Sequence, residues 1–125
     1  MNVFWLNEHP MFIHRLMGGD SFDGLRFATI EEGDETTVIS TLGGTGSIGP
    51  YVCITMGPFD LDALGILAQA SDALAKAKIP IFVISTYRND HILVPWESSE
   101  AATKALVAAG MVRKEKGEIF TAGRP

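Results

Sequence analysis

The sequence predicts an α+β fold of ferredoxin-like order, on three observations. Two stretches in the second half carry apolar residues at helical spacing. Short apolar runs flank them, so that the order after residue 50 reads β-α-β-β-α-β. The first half holds four further strand-like runs and no long helix before residue 60.

In the first half, VFWL (3–6), PMFIHRL (10–16), LRFATI (25–30) and TTVIS (36–40) read as strands. GGDSFDG and EEGDE read as turns, with room for one short helical turn around 19–24. GTGSIG, Gly44 to Gly49, matches the dinucleotide pattern G-x-G-x-x-G letter for letter. That pattern needs a helix after it to receive the pyrophosphate, and here Pro50 and a strand follow. The stretch is therefore read as a flexible connection between two halves.

YVCITM (51–56) opens the second half as a strand. A helix is predicted over 60–78, with Leu61, Leu64, Leu67, Ala68, Leu74 and Ala75 on its apolar stripe. Asp60 or Asp62 suits its N-terminus, Lys76 and Lys78 its C-terminus, and Pro80 stops it. Strands at 81–87 and 91–95 are joined by a turn at 88–90. Ser98 is the expected N-cap of a second helix over 98–109, with Ala102, Ala105, Leu106 and Ala109 on one face and Gly110 at C′. Glu118–Ala122 is the expected last strand. The second-half strands are apolar on both faces; Ile81, Phe82, Val83 and Ile84 are consecutive. Two helices cover one face only, so the first half or a second chain must cover the other.

Composition narrows the function classes. The 125 residues are 46% apolar and 20% charged, enough for a core and too apolar for disorder. No apolar run approaches the ~20 residues that span a bilayer, and MNVFWLNEHP lacks the basic start of a signal peptide. The net charge of −5 argues against nucleic acid and anionic membranes, the densest basic cluster being Arg113, Lys114 and Lys116. The single cysteine, Cys53, lies in an apolar run and reads as a buried inert thiol, which fits a cytoplasmic location. His9, His14 and His91 have no acid or cysteine at ligand spacing, so no metal or cofactor is expected. Ser85, Asp90 and His91 resemble a hydrolytic trio only in composition. Asp90 and His91 are strand neighbours and point to opposite faces. No catalytic residues can be assembled, and the chain is not read as an enzyme.

Two stretches are richer than their secondary structure requires. MGPFD, Met56 to Asp60, places Gly57 and Pro58 between a strand and a helix, where free N–H groups suit an anion such as a carboxylate. STYRNDH, Ser85 to His91, exceeds what a hairpin turn needs.

With GPFD before the first helix and ISTYRNDHILVP across two strands, residues of about 50–115 resemble an ACT domain. The resemblance is narrower to CASTOR-type sensors and to the C-terminal ACT pair of aspartate kinases. It implies an ACT domain over 49–125 and a degenerate ACT-like module over 1–48. It implies an amino-acid-binding regulatory protein, with the ligand held where modules or subunits meet. Carried over by position, the ligand-binding residues are Met56, Gly57, Pro58, Phe59 and Asp60, facing Ser85, Thr86, Tyr87 and Asp90. Arg88 and Asn89 fall at variable turn positions. Asp90 suits a cationic amino acid such as arginine or lysine. A homodimer and a regulatory protein partner are the expected associations. The alternative is an interaction or scaffold protein that keeps the fold and binds no ligand.

Overall fold

The computed structural model describes residues 2–59 and 63–115. Eight strands form one mixed sheet: β1 (Val3–Leu6), β2 (Met11–Met17), β3 (Ala28–Glu32), β4 (Glu35–Ser40), β5 (Ile48–Met56), β6 (Phe82–Ser85), β7 (Asp90–Pro95) and β8 (Val112–Arg113). Two helices, α1 (Ile66–Lys76) and α2 (Ser99–Ala108), supply the βαββαβ order expected after residue 50.

β5 organises the sheet. Along one edge it pairs with β7 from Tyr51↔Pro95 to Met56↔Asp90. Its other edge is shared: β2 takes the N-terminal part, and β1 takes Ile54 to Met56. β8 runs parallel to β1, with Val3↔Val112 and Phe4↔Arg113. The N-terminal strand thus sits between β5 and β8. A division at 48/49 falls at the first residue of β5, and strands from both halves share the sheet. No helical turn forms around 19–24.

The two-sided apolarity of the central strands has a direct explanation. Val52, Ile54 and Met56 of β5 and Ile92 and Val94 of β7 meet Ala70, Leu74, Ala102 and Leu106 of the helices. The intervening Cys53 and Leu93 point the other way, onto Met11, Ile39, Phe27 and Ala28. Alternation along a strand puts neighbours on opposite faces, and both faces here are covered within one chain. Each fully buried leucine contributes about 1.5–3 kcal/mol. Cys53 is the buried thiol expected of it, its pKa pushed up to about 12 by desolvation, with side-chain hydrogen bonding to Thr55 and Asn7 opposing. Trp5 is buried and Trp96 partly exposed.

Both helices end alike. In α1 the Lys78 amide donates to the Ala75 carbonyl and the Ile79 amide to that of Leu74. In α2 Gly110 donates to Val107 and Met111 to Leu106. This is the Schellman pattern, with a left-handed C′ residue and an apolar clasp between C″ and C3. Gly110 (φ 96°) takes the expected place, whereas Lys78 (φ 60°) adopts the same region despite its Cβ.

Three expectations shift. α1 begins at Ile66 instead of near residue 60, with Gly65 at its N-cap, and Asp60 and Asp62 lie outside the described residues. The strand expected at Glu118–Ala122 also lies outside them; within them, β8 follows α2. β5 starts three residues early because GTGSIG closes a turn, Ser47 N–H to Gly44 O at 3.1 Å, and runs straight into the strand. Gly49 (φ 146°) lies where β5 crosses the irregular register of β2; a Cβ there would come within 2.9 Å of the Met11 carbonyl oxygen. No helix follows the glycines, in agreement with rejecting the dinucleotide reading.

Candidate functional site

The turn between β6 and β7 is built by its own side chains. Thr86 donates its amide to the Asn89 carbonyl at 2.8 Å, and its hydroxyl to the same oxygen at 3.2 Å. Ser85 and Asp90 are paired across the strands, and Ser85 Oγ donates to Asp90 Oδ1 at 2.7 Å. The loop after β5 locks onto this turn: Phe59 N–H donates to the Arg88 carbonyl at 2.7 Å. Gly57 (φ 145°) makes that approach feasible, since a Cβ there would come within 2.9 Å of the Arg88 carbonyl oxygen.

Between this turn and the start of α1 lies a cavity of about 310 Å³. Its volume is at the low end of the ~300–1,000 Å³ of small-molecule sites. One wall is Ser85, Thr86, Tyr87, Arg88, Asn89 and Asp90. The other is Phe59, Ala63, Gly65 and the first helical residues Ile66, Leu67 and Ala68. Among the described residues no side chain caps α1, and its ladder starts with Gln69 N–H donating to Gly65 O at 3.1 Å. The first-turn amides belong to the cavity-lining residues Ile66, Leu67 and Ala68, beside the positive end of the helix dipole. No ion pair joins Arg88 and Asp90 among the described residues. The turn thus presents a cation, an anion and an amide within one wall.

Of the residues expected to bind ligand, Phe59, Ser85, Thr86, Tyr87 and Asp90 line this cavity. Met56 does not: it is fully buried on the helix side of β5, in step with Val52 and Ile54. Gly57 and Pro58 shape the loop without lining the cavity, and Asp60 lies outside the described residues. Sequence reasoning passed over Arg88 and Asn89 as variable turn positions. It also read Gly65 as the middle of a helix, although a glycine inside a helical pattern is a boundary signal.

His91 faces away from the cavity. It is buried on the reverse side of β7, with Phe27 edge-on to its ring at 5.1 Å. Its Nδ1 lies 3.0 Å from Thr55 Oγ1 and its Nε2 3.4 Å from Thr86 Oγ1. Burial lowers its pKa to about 4, with the nearby Asp90 carboxylate opposing the shift. A neutral imidazole on the far face and a Ser85 hydroxyl committed to Asp90 leave no nucleophile–base pair in this trio.

Residues 51–108 match the family model of the ACT domain. The chain is also similar to solved structures. A protein from Agobacterium tumefaciens is 23% identical over 96% of this chain and 97% of its own, with a TM-score of 0.77. A protein of unknown function from Vibrio cholerae, described as a possible transport protein, is 25% identical over 86% and 89%, with a TM-score of 0.72. The regulatory subunit of aspartate kinase from Thermus flavus is 14% identical over 86% and 96%, with a TM-score of 0.63. Among the described residues no helix is long and apolar enough to cross a membrane.

Proposed function

From the premise that residues 51–108 are an ACT domain, we propose that this chain is a regulatory module that binds an amino acid in the cavity between α1 and the β6–β7 turn. One observation carries the reading: a helix N-terminus that no described side chain caps and a turn bearing Asp90 face each other across about 310 Å³. A zwitterion needs that pairing. Its carboxylate fits the α1 amides. Its ammonium, or a cationic side chain, fits Asp90, whose Oδ2 accepts no hydrogen bond among the described residues while Oδ1 holds Ser85. The site residues of this proposal are Phe59, Ser85, Thr86, Tyr87 and Asp90, with Gly57 and Pro58 in the loop that leads to Phe59. Arginine or lysine is the favoured ligand.

The homodimer was expected because one chain's helices could not cover both strand faces; the first half covers the second face, so that motive falls away. Self-association rests instead on two exposed apolar side chains, Tyr87 of the cavity wall at 74% and Leu64, between the lining residues Ala63 and Gly65, at 91%. Exposed apolar residues beside a polar site mark an interaction surface. A second copy seated there would close the cavity, with residues 1–48 acting as a degenerate partner module. The same exposed pair favours the alternative of an interaction protein that binds no ligand. Thermal shift against the twenty amino acids separates the two. A ligand at a hundredfold its Kd adds about 2.7 kcal/mol. A shift with arginine or lysine supports the site, and a folded chain that responds to none of the twenty overturns it.

A further inference from the structure

We infer that His91 is a positioning residue for the cavity turn, the centre of a one-directional hydrogen-bond chain running from Asn7 to the Asn89 carbonyl. The inference rests on the reading that the turn walls a ligand site, but its chemistry can be tested without a ligand.

The direction follows from counting hydrogens. The Thr86 hydroxyl donates to the Asn89 carbonyl oxygen at 3.2 Å. A hydroxyl has one hydrogen, so toward His91 Nε2, 3.4 Å away, Thr86 Oγ1 can only accept. Nε2 therefore carries the imidazole proton. In a neutral ring Nδ1 is then an acceptor, and Thr55 Oγ1 at 3.0 Å must donate to it. Thr55 is fully buried and receives from Asn7 Nδ2 at 2.8 Å and, its own hydrogen going to His91, from the Cys53 thiol at 3.8 Å. Asn7 is anchored independently, since the same nitrogen donates to the Cys53 carbonyl at 2.8 Å. Each donor is used once along the path Asn7, Thr55, His91, Thr86, Asn89. The ring's neutrality agrees with its burial, which lowers its pKa.

The path crosses the sheet. It starts at Asn7, just after β1, passes through β5 and β7, and ends on the carbonyl that also accepts the Thr86 amide. Phe27, from the segment before β3, holds the ring edge-on. The first half therefore reaches the ring twice, by Phe27 against its edge and by Asn7 through Thr55, and the ring bonds the turn. Neither His91 nor Thr55 lines the cavity. Chains of this kind polarise one another in a low-dielectric interior, which favours a single turn conformation.

The test uses the full chain, wild type and Thr55→Val, near neutral pH. Nitrogen NMR of the His91 imidazole in wild type is expected to show a protonated Nε2 and a bare Nδ1. The opposite tautomer, or a freely titrating ring, overturns the inference by itself. Thr55→Val keeps the shape and removes the donor to Nδ1, so the tautomer should persist, held by Nε2–H to Thr86, while the Nδ1 resonance shifts with the loss of its partner. The Thr86 amide should then exchange with solvent about threefold faster or more, while circular dichroism stays unchanged. Thr86→Ser should retain the wild-type tautomer, as it keeps the hydroxyl. An unchanged Thr86 amide in folded Thr55→Val overturns the link between ring and turn. Calorimetry with arginine gives the last arm: Thr55→Val should weaken binding about threefold. If wild type binds no arginine, the ligand reading fails while the tautomer and exchange results still decide the chain.

Discussion

Asp90 and His91 are neighbours in sequence with opposite fates, because consecutive strand residues face opposite sides. Asp90 is half-buried at the cavity, where a contact with the proposed cationic ligand would be charge-assisted. Asp90→Asn is expected to weaken arginine binding by about 1.5–3 kcal/mol. Stability should change little, because Asn still accepts from Ser85. Isothermal calorimetry and thermal melts measure the two, and equal arginine affinity in both proteins would refute the role of Asp90. His91 predicts a pH dependence. Its folded pKa of about 4 lies below the ordinary 6.5, so the unfolded chain binds more protons between these values. Stability supplied by the neutral ring is complete above about pH 6.5 and is lost as pH falls through about 4, amounting to roughly 1–3 kcal/mol. Urea melts across this window should show the loss in wild type. His91→Gln, which cannot titrate, should reduce the slope.

Helix ends decide the next scale. α1 and α2 stop by the same two hydrogen bonds and the same apolar clasp, Leu74 with Ile79 and Leu106 with Met111. They differ in the left-handed residue, Lys78 in one and Gly110 in the other. For an L-residue that region costs roughly 1–2 kcal/mol, offset in part when glycine loosens the unfolded chain. Lys78→Gly is therefore expected to stabilise by about 0.5–1 kcal/mol. Gly110→Ala should destabilise by about 1 kcal/mol through backbone strain. Crowding is not the cause, as the nearest atom to a Cβ there is Gln69 Nε2 at 3.8 Å. Chemical denaturation of the pair reads both signs, and a destabilised Lys78→Gly would contradict the assignment. The other end of α1 starts at Ile66, across the cavity from the turn, with no capping side chain among the described residues.

At the scale of the whole molecule, β5 and β7 carry two cores back to back. The helix-side core and the Met11, Ile39, Cys53 and Leu93 core share the same strands. β1 binds the halves further by lying between β5 and β8. The chain should therefore unfold as one cooperative unit. Ile39 is fully buried in the first half, far in sequence from both helices. Ile39→Ala should cost about 2–5 kcal/mol. It should lower the helical circular dichroism transition and the tryptophan fluorescence transition together. Two separated transitions would show instead that the halves are independent domains.

Several features were legible in the sequence because they depend on near neighbours. Apolar spacing gave away both helices and the order after residue 50; Gly110 marked the end of α2, and Pro50 after GTGSIG ruled out a nucleotide loop. The polar wall Ser85 to Asp90 was visible as excess chemistry in a short turn. What lay beyond reach depends on which distant segments meet. Nothing local says that Val3 pairs with Val112, or that Ile39 and Phe27 cover Cys53 and Leu93. The second cavity wall, Ala63 to Ala68, is chemically plain, and only its placement opposite the turn makes it relevant. Likewise Asn7 and Thr55 are ordinary polar residues until the β1–β5–β7 register aligns them with His91. Periodicity is a property of the chain within a few residues. Pairing and register are set by burial summed over the whole sheet, and that sum exists only once the chain has folded.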